Sequence, residues 1–415
     1  MRSVVWTLLL FVVAVLAATI LGANDGLVSI YWAPWRFDLS LNFFLLLMLL
    51  SGVLVYALVG AFNQLVGLPE RARLWRVQRR ERAAQAALRE SLAFLFAGRY
   101  GRAHKSAQRA LELQSMTPEL DRDVEFGALA HLLAASGLHR LQDRERRDQQ
   151  LSQAQALAGG LATGSAVAEG ARLLSAEWAL DDRDAERALD QLALLPAGVA
   201  RRTLALRMRL QATRLARQPI EALKTARLLA KHQAFGPVAA QGLLRSLAVE
   251  ALDTARDAEQ LRRIWAQLDA ADRRDPYVAS RAARHAAAMD AAAEARGWLR
   301  PHWERLAELG ERERRDVQDA LVEALPGLSA DWLPLLEEAV AAAPGDAALS
   351  HAVGCAMAER QLWGRARRLL ENAATMPSAD RELRRKAWRS LATIAENDED
   401  QALVQRCYRE IAQNT

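Results

Sequence analysis

LSHAVGCAMAERQLWGRARRLLENAAT, Leu349–Thr375, reads as two short helices joined by a turn, and it decides the fold. Leu349, Val353, Gly354 and Met357 recur at helical spacing and give the first helix one apolar face. Ala366, Leu370 and Ala373 do the same for the second. Gly354 is the small residue that lets the two helices approach closely, Trp363 fills the turn, and Pro344 closes the segment before. The second half of the same pattern stands far upstream, in Gly98-Arg99-Tyr100-Gly101-Arg102-Ala103, then Ala107 and Ala110-Leu111-Glu112-Leu113. There Gly98 ends a helix, the aromatic Tyr100 packs the turn, and Ala103 and Ala110 are contact positions.

Between these two units, and on to Thr415, the chain reads as helix after helix. Ala, Leu, Arg, Glu and Gln dominate, and no stretch beyond Glu70 sustains period-two alternation. The breaks are short: Thr117-Pro118, Gly159-Gly160, Pro196-Ala197-Gly198, Gly236-Pro237, Asp275-Pro276, Pro326-Gly327, Pro344-Gly345 and Pro377-Ser378. Each interval holds one or two antiparallel helices. Weaker units centre on Ala188, Ala222 and Ala258, close to the ~34-residue period of a tetratricopeptide repeat. Trp388, Leu391, Ala392 and Ala395, then Val404 and Tyr408, form a last, capping pair. An alanine-rich bundle yields A-x₃-A matches by chance, but two well-formed units at opposite ends are hard to obtain that way. The stretch Arg140–Gly160 departs most, because an arginine takes the place of the small residue.

The N-terminus is of another kind. Val4–Leu21 and Phe43–Phe62 carry no charge. At ~1.5 Å per residue they make helices about 27 and about 30 Å long, enough to cross a bilayer core. The linker between them holds Tyr31, Trp32 and Trp35, an aromatic belt for a headgroup zone, and the helix breaker Pro34. Arg71, Arg73, Arg76, Arg79, Arg80 and Arg82 follow the second run, against Arg36 alone in the linker. The positive-inside rule puts that cluster, and the bulk of the chain behind it, in the cytoplasm, near anionic inner-membrane lipid. The competing reading of the first run is a signal peptide, with Arg2 as its n-region and small residues at its end; cleavage would leave the orientation of the second span unchanged. The expected organisation is an anchor at 1–68 with spans at about 4–21 and 43–62, an arginine-rich helix at 69–90, and a repeat array at 91–415. The fold class is all-α, with two N-terminal transmembrane helices followed by a tetratricopeptide-like α-solenoid.

The 415 residues carry a formal charge of +5, and the cations are almost all arginine. Acidic residues interleave with them beyond Glu90, so a nucleic-acid stripe is not expected. Cys355 and Cys407 share no metal spacing and read as reduced, partly buried side chains. Of the seven histidines none forms H-E-x-x-H or C-x-x-C-H, and Gly159-Gly160 with Gly164 lacks the Lys of a phosphate loop. No catalytic, cofactor or metal residues are assigned, and the expected activity is assembly, not catalysis. Trp178, Trp265, Trp298, Trp303, Trp332, Trp363 and Trp388 sit at core-like spacing. Trp298 and Trp303 flank Pro301 at an apparent helix break, which makes them the best candidates for a binding groove.

The architecture resembles the proteobacterial HemY family. The resemblance is most specific in Asn24-Asp25-Gly26-Leu27-Val28 and in Arg79-Arg80-Glu81-Arg82 running into Leu95-Phe96-Ala97-Gly98-Arg99-Tyr100. It implies a multi-pass protein of the bacterial inner membrane, with late haem-biosynthesis enzymes as partners of a scaffold. A porphyrin- or haem-binding carrier, and a general envelope-assembly adaptor unrelated to haem, remain the other readings.

Overall fold

In a computed structural model, residues 13, 26–161 and 164–413 are described. The first apolar run, about 4–21, lies outside the described residues apart from Val13. Among those described, one helical stretch is long and apolar enough to cross a membrane, Leu41–Gly60, with a mean hydropathy of 2.5.

That stretch opens a single helix, α1, Leu41–Phe96, which begins at the N-cap Ser40, whose Oγ accepts from the Phe43 amide. The boundaries expected at 68 and 90 therefore fall inside one helix. The linker before it is not irregular. Leu27–Trp32 (β1) and Trp35–Ser40 (β2) pair antiparallel in a hairpin, with Trp32 opposite Trp35 and Leu27 opposite Ser40. The all-α expectation is corrected here: Val28, Ile30 and Trp32 alternate with Leu27, Ser29 and Tyr31, which is strand periodicity. The turn holds a cis Ala33–Pro34 bond.

The chain forms two compact units, residues 1–154 and 155–415. In the first, the end of α1 packs on α2, Tyr100–Ser115, which packs on α3, Val124–Arg140. Ala84 and Ser91 on α1 are fully buried, and the Ser91 Oγ donates to the Ala103 carbonyl at 2.7 Å. Ala103, Ala107 and Ala110 form a buried stripe along α2. Gly137 on α3 meets that helix so closely that a Cβ there would lie 3.1 Å from the Tyr100 carbonyl oxygen. Helix α4, Arg144–Ala158, follows. Its fourth residue, Arg147, is buried, donating to Asp148 Oδ1 at 2.8 Å, with His139 Nδ1 at 3.3 Å. The arginine that replaces the small residue is thus satisfied locally, not expelled.

The second unit is a succession of helical hairpins: α5 Ala166–Asp181 with α6 Ala185–Ala193, α7 Thr203–Leu215 with α8 Pro219–Lys231, and α9 Pro237–Leu252 with α10 Ala258–Gln267. Then come α11 Pro276–Ala288 with α12 Ala292–Trp303, α13 Glu311–Glu323 with α14 Leu333–Ala342, α15 Ala347–Glu359 with α16 Trp363–Thr375, and α17 Arg381–Asn397 with α18 Gln401–Gln413. In six of the seven hairpins the fourth residue of the second helix is buried against its neighbours. Ala188, Ala222, Leu261, Ala295, Leu336 and Ala366 are all fully buried. This corrects the register of one weak unit: Ala258 is the first residue of α10 and only half-buried, so Leu261 holds the contact position.

One turn geometry closes five of these hairpins. Arg183, Arg217, Asp290, Gln361 and Glu399 all take positive φ, between 53° and 61°. The amide after each donates to the carbonyl five residues back, at 2.8 to 2.9 Å: Asp184 to Ala179, Gln218 to Thr213, Ala291 to Ala286, Leu362 to Met357 and Asp400 to Ala395. This is a Schellman closure, in which glycine is the low-strain residue. Gly98 supplies it in the first unit, at φ 70°, with Arg99 donating to Phe94. The proline and glycine breaks lie almost all between hairpins instead.

Between α15 and α16 the contact is tight. Gly354 on α15 faces α16, where a Cβ would come within 2.8 Å of Leu370 Cγ and 3.3 Å of Leu369 Cβ. Ala366, Leu370 and Ala373 are fully buried. Trp363, expected to fill the turn, instead stands 36% exposed at the start of α16. Leu362, with its amide bonded back to Met357, takes up the chain reversal.

Candidate docking groove

Prolines at Pro237 and Pro276 start α9 and α11, and a one-turn segment, Ala270–Arg273, bridges α10 to α11. That short bridge leaves a groove of about 740 Å³ between α9, α10, α12 and the start of α13. Trp265 of α10 and Trp298 of α12 form one wall. Their rings stack at 4.8 Å between centroids and 26° between planes. Trp265 is buried and Trp298 half-buried, so the pair presents an aromatic edge to the opening.

The opposite wall is charged. Arg245 of α9 donates from Nε to Asp275 at 2.7 Å and from Nη2 to Glu313 at 2.6 Å, with its guanidinium 5.7 Å from the Tyr277 ring. Burial opposes its charge, but the two carboxylates outweigh that and raise its pKa. Asp275 also caps α11, its Oδ1 accepting from the Tyr277 amide at 3.0 Å. Arg245 is therefore structural, a tie across three helices. Arg273 and Arg274, at the rim, are different. Both are exposed and neither forms a direct ion pair among the described residues, though Arg273 stands close enough to Asp269 to help lower its pKa. The groove thus offers a stacked indole pair and two exposed cations that form no direct ion pair among the described residues.

His302 lines the same groove but is committed. It is 7% exposed, burial lowers its pKa, and its Nε2 donates to the Arg273 carbonyl at 3.2 Å. A neutral imidazole holding a backbone carbonyl positions the rim and leaves that nitrogen unavailable to a ligand.

Of the two tryptophans read as a groove, only Trp298 is in it. Trp303 is 2% exposed and packs edge-on to Trp332 at 6.3 Å, its Nε1 donating to the Leu335 carbonyl at 3.4 Å. It borders a separate cavity of about 390 Å³. The expected break at Pro301 is absent, for α12 runs through it to Trp303. Pro301 removes the amide that would donate to the carbonyl four residues back, which belongs to exposed Gly297.

The basic cluster lies on α1. Arg73 donates to Glu119 at 3.2 Å, Arg80 donates to the Met116 carbonyl at 3.0 Å, and Arg79 lies 5.3 Å over the Trp75 ring. Arg82 is exposed, and the Arg71 side chain lies outside the description. Part of the cluster thus ties α1 to the segment after α2. Among the described residues no cluster of His, Cys, Asp and Glu could hold a metal. Both thiols are free, and burial raises their pKa.

Solved structures similar to this chain include Naa15/Naa10 bound to HypK-THB, at 14% identity and a TM-score of 0.27, covering 75% of this chain and 56% of that one. The APC/C hetero-tetramer Cut9-Hcn1 follows, at 14% identity and 0.29, covering 80% and 66%. The P58(IPK) TPR domain matches at 12% and 0.21, covering 75% and 98%. The chain thus spans less than two thirds of the length of the first two. No curated protein sequence matches it. Residues 26–135, from the β-hairpin through α1 and α2 into α3, match the family model described as the HemY protein N-terminus, and that match supports a HemY-type protein.

Proposed function

We propose that this chain is a membrane-anchored scaffold that docks acidic, aromatic-bearing segments of partner proteins in the groove beside Trp298. The observation that carries the reading is the pairing of the Trp265–Trp298 stack with Arg273 and Arg274, two exposed cations that form no direct ion pair among the described residues, on a helical array. Aromatic and arginine side chains of this kind are what anchor protein contacts. The HemY-type N-terminal region supports a place in late haem synthesis, with enzymes of that route as partners at the bacterial inner membrane. Tethering raises the local concentration of partners, so the groove needs only modest affinity. The array faces the cytoplasm in this reading, and its function is assembly, not catalysis.

The test is photo-cross-linking from Gln241, at the groove wall, in native membranes, followed by identification of the captured proteins. The double variant Arg273→Glu/Arg274→Glu should lower recovery about tenfold, the equivalent of ~1.4 kcal/mol, at unchanged melting temperature. Unaltered recovery would remove the groove from the reading, and captured proteins unrelated to haem would favour the general adaptor. A flat anionic ring suits the same walls. A stoichiometric absorbance change on adding haem to the full-length protein, lost in Trp298→Ala, would favour the carrier.

A further inference from the structure

The β-hairpin before α1 has two unlike faces. Opposed residues in an antiparallel pair share a face, so the register sorts every side chain. Val28 with Leu39, Ile30 with Phe37 and Trp32 with Trp35 make one face, wholly apolar. The other carries all the polar groups: Arg36 donates from Nε to Asp38 at 3.0 Å and from Nη2 to Ser29 at 3.3 Å, Ser29 donates to Asp38, and the guanidinium lies 5.2 Å from the Tyr31 ring. The apolar face is open, with Trp32 76%, Trp35 67% and Phe37 54% exposed.

The connection to the helix says what covers it. Ser40 ends β2 and caps α1, and the apolar stretch begins at the next residue, Leu41. The Leu41 amide also donates to the Gly26 carbonyl at 2.8 Å, which ties the start of β1 to the same point. Both ends of the hairpin are thereby fixed at the mouth of the span, with no slack for it to move away. We propose that the hairpin lies on the bilayer surface at that mouth and seats Val28, Ile30, Trp32, Trp35, Phe37 and Leu39 at the boundary of headgroups and acyl chains. Arg36, Asp38 and Ser29 then face water. This rests on Leu41–Gly60 crossing the membrane, and it adds an interfacial anchor lying in the plane of the bilayer to the one that spans it.

The experiment uses the full-length protein in phosphatidylethanolamine–phosphatidylglycerol vesicles whose acyl chains are brominated close to the headgroup. Tryptophan quenching is compared with that of Trp32→Phe/Trp35→Phe, which keeps the face apolar, so the difference isolates the hairpin. The expected result is a difference emission quenched by bromolipid and insensitive to aqueous iodide. A difference emission quenched by iodide and not by bromolipid would overturn the proposal, as would one quenched by neither, which would place a protein partner on the face. Carbonate extraction of the same vesicles separates the premises: a protein released by carbonate lacks the span itself, whereas one that resists it with iodide-quenched hairpin tryptophans has the span and not the seated face.

Discussion

The hairpin α15–α16 and the hairpin α11–α12 are built on one plan and end in opposite states. In the first, Gly354 and Ala366 let the helices close until Leu370 fills the seam between them. In the second, Ala295 holds the contact position, but Trp298 on the same helix stacks outward on Trp265 and the neighbours splay into a groove. The difference teaches that the repeat supplies the spacing, while the residue one turn beyond the contact decides whether a surface seals or binds. It also shifts where stability comes from. Both hairpins bury an apolar seam, and the open one is also tied to its successor by Arg296, whose guanidinium donates to the Ala324, Pro326 and Gly327 carbonyls at 2.6, 2.7 and 3.0 Å.

The hardest blow to that contrast is Arg296→Met. It leaves three loop carbonyls without their donor and should cost about 3 kcal/mol, read by chemical denaturation. A cost under about 1 kcal/mol would mean that the polar tie between successive hairpins adds little to the open one. A comparable effect is expected from pH at the sealed hairpin. His351 on α15 is 3% exposed, and burial lowers its pKa to about 4; Asp319 raises it, Lys386 lowers it, and its Nε2 lies 3.5 Å from Cys355 Sγ and from Ser390 Oγ. A histidine whose folded pKa lies below its unfolded value, ~6.5, stabilises above that value and loses the contribution as pH falls. Stability should therefore drop by about 3 kcal/mol between pH 6.5 and pH 4 from this group, and His351→Gln should flatten that part of the profile.

The smallest test is the sharpest, because one substitution should change sign between the two hairpins. Gly354→Ala forces a methyl against Leu370 and should cost about 1–3 kcal/mol, as should Ala366→Leu from the other side. Gly297→Ala, in the middle of α12 with no atom within 4 Å of the new Cβ, should stabilise by about 0.5–1 kcal/mol through helix propensity. Equal melting shifts for the two alanine variants would dissolve the distinction.

How much of this could be read beforehand follows the range of the interaction. Gly354, Ala366 and Ala373 declare themselves because their contacts lie within one hairpin. Pro196, Gly236-Pro237 and Pro344 mark the joints between hairpins, since proline starts helices cleanly. The turns inside hairpins stayed hidden because Arg183, Arg217 and Gln361 hold a conformation usually given to glycine, imposed by the backbone bond behind each one. The arginines interleave with acidic residues along the whole array, and nothing local sets apart Arg245 and Arg296, which are ties across hairpins. The groove was half legible: Trp298 stood out, but Trp265, Arg273 and Arg274 join it only through tertiary packing. In the linker, alternation over six residues was masked by aromatics on both faces of the hairpin, at Tyr31 and at Trp32.

The unbroken course of α1 has a consequence in plain distance. Ala84, the first buried residue among those described on the helix after Leu41–Gly60, stands twenty-four residues beyond Gly60. At ~1.5 Å per residue that is a clearance of about 36 Å when the helix follows the membrane normal. Charge on headgroups is felt over only ~8 Å at physiological salt. The helices packed at Ala84 would stand several such lengths away, on a post whose height is set by residue count, and an insertion of one helical turn would lift them by ~5.4 Å.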